Sequence, residues 1–172
     1  VSFPWYEPGR RLDFLADLTS GKDVLAADDN NPGWDSLPAN FNAIRFELLD
    51  PELSRYRALG IEVAQAVESA ARSVDKGMTE QAVAALMQQE LQTRGATPIV
   101  LLVAADDRIE QWRHPIVKDA KVQRACMLVT CARRQGLICA ITRLVHFGDL
   151  PAELRKRHDA CCNVDARIMA AT

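Results

Sequence analysis

The stretch His114–Gly148 reads HPIVKDAKVQRACMLVTCARRQGLICAITRLVHFG, and the fold turns on how it is read. Two apolar runs, Ala125–Ala132 and Leu137–Ile141, flank the basic, glycine-containing segment Arg133-Arg134-Gln135-Gly136. Short apolar runs on either side of such a connection predict a β-hairpin. A histidine precedes the first strand, and Thr142-Arg143 follows the core of the second.

Before the hairpin, Pro98–Ala105 (PIVLLVAA) is short, rich in branched side chains and bounded by Pro98 and by Asp106-Asp107, which predicts a buried strand. A charged loop comes next, carrying Arg108, Trp112, Arg113 and His114-Pro115. Two amphipathic helices are expected farther back. Asp50 and Pro51 open the first, whose stripe Leu53, Tyr56, Gly60, Val63, Val67, Ala70 or Ala71, and Val74 keeps helical period. Thr79 caps the second, Val83, Leu86, Met87 and Leu91 form its inner face, and Gly95 stops it. After the hairpin, Phe147-Gly148-Asp149 predicts a turn and Pro151 opens a third helix, with Leu154, His158, Cys161, Asp165 and Ile168 on one face. The order helix, helix, strand, hairpin, helix is an α+β layout, with helices on an antiparallel-rich sheet.

Residues 1–47 lack the periodic apolar positions of a core. Arg10–Leu18 has helical spacing, Gly21–Ala27 predicts a short strand, and Asp28–Pro38 is dense in turn residues. The segment is either the remnant of a preceding domain or an arm covering the rest of the chain. Val1 is not Met, and Arg167–Thr172 lies inside a helical pattern with no stop signal, so a piece of a longer chain is expected.

The chain has 172 residues, 21 of them basic and 23 acidic, for a net charge of −2. That balance argues against a nucleic-acid partner, and no apolar run is long enough to span a bilayer. The five cysteines have neither CxxC nor zinc-site spacing, which predicts buried free thiols and a cytoplasmic protein.

The pattern resembles the pita-bread hydrolases: creatinase, prolidase, aminopeptidase P and methionine aminopeptidase. The pieces that carry it are Glu52, Arg55, Arg57 and Gly60 in the first helix and Gly77-Met78-Thr79-Glu80 at the second. His114, the segment Gly136–Arg143, and Phe147-Gly148 complete the match. Gly136–Arg143 is the most specific, because it looks like the family's Gly-Tyr-x-x-Asp-Ile-Thr-Arg signature. The resemblance implies the first half of a pita-bread catalytic domain over residues 48–172. Residues 1–47 would then be the C-terminal tail of the family's N-terminal domain.

In the metallopeptidase members two hairpin aspartates bind a pair of divalent metals. The resemblance lays those positions on Val129 and Ala140, neither of which has a donor atom. Cys131 faces the same way as Val129 by strand alternation, but one thiolate does not replace two carboxylates. No metal and no other cofactor is therefore expected. Creatinase is a metal-free precedent within the family, with a catalytic histidine on the loop before the hairpin. The analogy makes His114 the candidate proton-transfer residue, since imidazole titrates near neutrality. Arg108 and Arg113 are candidates for binding a substrate carboxylate, and Trp112 for an apolar wall.

Three functions stay open at this point. One is metal-independent hydrolysis of a small amidine or amide substrate. The second is an inactive peptidase-like binding or scaffold subunit. The third is a metal-dependent Xaa-Pro aminopeptidase or dipeptidase, against which Val129 and Ala140 argue. The expected partners are a small-molecule or dipeptide-like substrate and, by the resemblance, a second copy in a homodimer.

Overall fold

The computed structural model describes residues 4, 6–20, 26–27, 35–38 and 40–171. The chain divides into two compact units, Val1–Leu49 and Asp50–Thr172. In the first, helix α1 (Pro8–Leu18) begins on a proline, whose fixed φ suits a first helical turn. Strands β1 (Ala26–Ala27) and β2 (Asp35–Ser36) pair in parallel, and a 3-10 turn covers Asn42–Arg45. Of the strand expected at Gly21–Ala27, residues 21–25 lie outside the described residues. Within the expected loop Asp28–Pro38, Asp35–Ser36 is β2, while residues 28–34 lie outside the described ones.

The second unit is α+β. Helices α2 (Asp50–Arg72) and α3 (Glu80–Thr93) precede strand β3 (Thr97–Ala105) and the short helix α4 (Arg108–Gln111). Strands β4 (Ala125–Arg134) and β5 (Leu137–His146) and helix α5 (Ala152–Ala171) complete it. The sheet is antiparallel in the order β3-β4-β5, and α2 and α3 pack on one face of it.

Local chemistry sets the element ends. The Ala82 N–H donates to the Thr79 hydroxyl at 3.1 Å, capping α3. Gly95, at φ +69°, ends α3 in a left-handed residue, and the Ala96 N–H reaches back to the Leu91 carbonyl at 3.0 Å. Gln135 (φ +50°) and Gly136 (φ +83°) form the two-residue turn of the hairpin. Two successive positive φ values match the right-handed twist of the flanking strands, and glycine takes the second without strain.

Leu59, Val63 and Val67 of α2 meet Val83, Met87 and Leu91 of α3 and Val103, Cys126 and Leu128 of the sheet, all buried. Burying each large side chain contributes about 1.5–3 kcal/mol, whereas a surface ion pair gives ~0–1 kcal/mol. Apolar packing therefore docks α2, and its ion pairs Glu62–Arg134 and Glu68–Arg143 orient it on β4 and β5.

The inner stripe of α2 follows expectation at Val63, Val67 and Ala70 and departs from it at Tyr56. Leu59, Val63, Ala66, Val67 and Ala70 are buried, while Tyr56 is exposed. Leu59 is buried in the place expected for Tyr56, and Gly60 faces β5, where an added Cβ would come 4.0 Å from Cys139 Sγ. The third helix also differs: every described residue of α5 is exposed, including the apolar face Leu154, Cys161 and Ile168.

Candidate functional site

Chain between β3 and β4 leaves the sheet at Ala105 and returns at Ala125. β5 finishes at the same end, because His146 pairs with Ala125. The connection is clamped at its base by Asp106, whose backbone sits in the left-handed region at φ +51°. The backbone N–H groups of Arg124 (2.8 Å) and Ala125 (2.9 Å) donate to Asp106 Oδ1, and that of Gln123 to Oδ2 (3.1 Å). Burial pushes this carboxyl up, but the three N–H donors and nearby Arg124 outweigh it and hold the pKa below the ordinary aspartate value.

A second carboxylate fastens the middle of the connection. Glu80, the first residue of α3, is wholly buried. Its Oε1 accepts from the Ala105 N–H and from Arg108 Nε, each at 2.8 Å, and its Oε2 from the Lys118 N–H at 2.8 Å. Arg108 Nη2 donates to the Ile116 carbonyl at 2.8 Å. Val122 is buried and exchanges backbone bonds with Gly77 and Met78. Trp112, Arg113 and His114 are exposed between these fastenings, while Pro115 is buried.

The sheet face turned away from α2 and α3 carries Met127, Val129 and Cys131 of β4 beside Ala140, Thr142 and Leu144 of β5. Cys131 is opposite Ala140, and Val129 is opposite Thr142. Val129 and Ala140 thus share a face and are diagonal neighbours. Arg143, on the reverse face, donates to Glu68 at 2.9 Å. That bond, with the charge of Arg143, holds the Glu68 carboxyl below its usual range.

The family pattern of Metallopeptidase family M24 matches residues 54–172. The chain belongs to this family. Comparison with curated proteins gives no match. Among solved structures, prolidase from Pyrococcus horikoshii OT3 is similar, with TM-score 0.72 and 17% identity over 84% of this chain and 47% of that one. X-Pro aminopeptidase from Thermotoga maritima MSB8 has TM-score 0.65 and 19% identity over 86% of this chain and 40% of its own. Prolidase from Pyrococcus furiosus has TM-score 0.63 and 20% identity over 72% and 37%. These likenesses show the pita-bread fold, and this M24 chain spans less than half the length of each of the three.

The open face of this M24 chain is chemically poor in donors. At the two positions where the resemblance places metal-binding aspartates it presents the side chains of Val129 and Ala140, and the nearest donors along the strands are the Cys131 thiol and the Thr142 hydroxyl. No group of three His, Cys, Asp or Glu residues suited to a metal occurs among the described residues. Two divalent ions need bridging carboxylates, so the residues on this face do not fit the pair.

The candidate residues Arg108, Trp112, Arg113 and His114 all lie on the one clamped connection. Arg108 differs from the other three: its Nε and Nη2 are engaged by Glu80 and Ile116. Two residues gained weight only in the structure. Glu80 was legible as a first-turn acid but not as a buried clamp, since its partners lie 25–38 positions away. His146 stands at the end of β5 with its Nδ1 buried and without a hydrogen-bond partner among the described residues. The thiols also divide differently from expectation. Cys126 is buried, whereas Cys161 and Cys162 are exposed, as is His158, whose ring lies 3.7 Å from Cys162 Sγ.

Proposed function

We propose that this M24 chain contributes to metal-independent hydrolysis of a small C–N compound, an amidine or an amide, with His114 as the proton-transfer residue. The observation that carries the reading is the open face of β4 and β5, where Val129 and Ala140 are diagonal neighbours with no carboxylate. Without a metal to activate water, a protein base has to do so. The His114 imidazole takes a proton from water as the water oxygen bonds to the amidine or amide carbon. It then delivers that proton to the departing nitrogen as the C–N bond breaks. Arg113 is read as the partner of a substrate carboxylate, and Trp112 as an apolar wall; both are exposed on the same connection as His114. A dipeptide-like substrate is the neighbouring possibility, supported by the names of the similar prolidase structures.

The five free cysteines are consistent with a reducing, cytoplasmic setting, and homodimerisation is carried over from the resemblance. Residues 1–47 are read as the tail of the family's N-terminal domain.

The test is turnover of creatine, simple amides and Ala-Pro by the full-length protein, with and without chelator and added manganese. Chelator-resistant turnover that His114→Ala abolishes is expected. Turnover that requires manganese, or that survives His114→Ala, overturns the reading. Light scattering reports the dimer in the same preparation.

A further inference from the structure

Glu80 and Arg108 form an ion pair in which the carboxylate is wholly buried and the guanidinium about a quarter exposed. Such a pair is a poor stabiliser in itself, because desolvating the carboxylate offsets much of the attraction. Its geometry is more informative than its energy. One carboxylate holds the last residue of β3 through the Ala105 N–H, and the returning limb of the connection through the Lys118 N–H. The guanidinium it anchors reaches across to the Ile116 carbonyl. The backbone of Glu80 adds a fourth tie, its N–H donating to the Ala120 carbonyl at 2.9 Å.

The segment from Ile109 to Pro115 is therefore a short arch with both feet tied to a single side chain. His114 lies on this arch, with Pro115 buried beside it and Ile116 held by Arg108. Backbone at Pro115 and Ile116 that cannot shift leaves little freedom for the residue before them. Proline restricts that residue further, to extended conformations.

We propose that Glu80 and Arg108 are positioning residues for His114, acting as a buckle that holds the arch in one shape. Arg108 then serves the reaction through His114, and the substrate carboxylate falls to Arg113. This rests on the reading of His114 as the proton-transfer residue. Positioning matters because a reacting group displaced by about 1 Å can cost a hundredfold in rate.

The experiment is amide hydrogen exchange by mass spectrometry on the full-length protein and on Arg108→Gln, Arg108→Lys and Glu80→Gln. Arg108 is the primary target, because its partly exposed head group is the less demanding one for folding. The expected result for Arg108→Gln is at least tenfold faster exchange in peptides covering 109–118, with peptides from α2 and β4 unchanged. Arg108→Lys should not restore protection, since an ammonium does not bridge Glu80 and Ile116 as the guanidinium fork does. For any probe turned over, kcat should fall at least tenfold with KM within twofold. Unchanged exchange at 109–118 in Arg108→Gln overturns the proposal. So does a rise spread equally over α2 and β4, which would make the pair merely structural. His114→Ala separates the two claims: retained turnover sinks the proton-transfer role, whereas the exchange result alone decides the buckle.

Discussion

Cys131 and Ala140 are direct partners across the β4–β5 ladder, and both point away from the α2–α3 layer. Opposed residues of antiparallel strands have Cα atoms about 4.5–5.5 Å apart, inside the 4.4–6.8 Å range of disulfides. Ala140→Cys should thus form a cross-strand disulfide with Cys131 under mild oxidation. Peptide mapping of the oxidised variant, with Cys131→Ser as control, reads it out. Failure to crosslink would mean that the hairpin register, and with it the shared face of Val129 and Ala140, is wrong.

Asp106 should dominate the stability of the β3–β4 connection. Asp106→Ala removes the acceptor of three backbone N–H groups, two of them open to water, and leaves alanine in left-handed backbone, at an expected cost of about 2 kcal/mol. Asp106→Asn, which tolerates that backbone, should cost less. The carboxyl is held below its ordinary value of 3.8, so its contribution is fully present above that pH and is lost as pH falls through the lower folded value. Urea unfolding from pH 6 to pH 2 should show the gap between parent and Asp106→Asn closing on the acid side. A gap independent of pH would contradict the sign.

The pair Glu68–Arg143 gives a second acid-sensitive contribution. Glu68 is held below its ordinary value of 4.5 by the Arg143 hydrogen bond first and by its charge second. The stabilisation is present above that pH and fades on acidification. Arg143→Met should remove most of this dependence, leaving the smaller contribution of nearby Arg72, and leave the fold intact, as monitored by circular dichroism during acid titration. High salt should weaken the contribution in the parent, because the pair is partly exposed.

Thiol reactivity should track burial. Burial first, then the charges of Glu80 and Asp106, pushes the Cys126 thiol up to about 12. Iodoacetamide at pH 8 should modify the exposed Cys161 and Cys162 first and spare Cys126 until denaturant is added. Peptide mass spectrometry gives the order. Early labelling of Cys126 would mean that β4 is not seated against α2 and α3.

Replacing the α3 cap, Thr79→Ala, should cost about 1 kcal/mol in thermal or urea unfolding, since the Ala82 N–H then loses its partner. The loss should be the same at pH 5 and pH 8, as no titrating group takes part.

Features written in a few adjacent residues were readable from the chain alone. The Thr79 cap, the Gly95 stop and the hairpin around Gln135-Gly136 come from local backbone preferences. The alternation that puts Val129 and Cys131 on one face needs only the two-residue period of a strand. Leu59 was missed because helical period permits several neighbouring stripes, and only the opposing sheet selects among them. The burial of Glu80 was missed because a glutamate in a first helical turn ordinarily faces water.

The amino-acid sequence by itself determined the α+β order of elements, the hairpin at its centre, and the absence of a side-chain donor at Val129 and Ala140. Only the tertiary structure decided that Arg108 turns to Glu80, that Asp106 closes the connection carrying His114, and that Cys131 stands across from Ala140. The physical reason is range. Caps, turns and periodicity act over a few residues, whereas a buried carboxylate is satisfied by whichever distant N–H groups the fold brings to it.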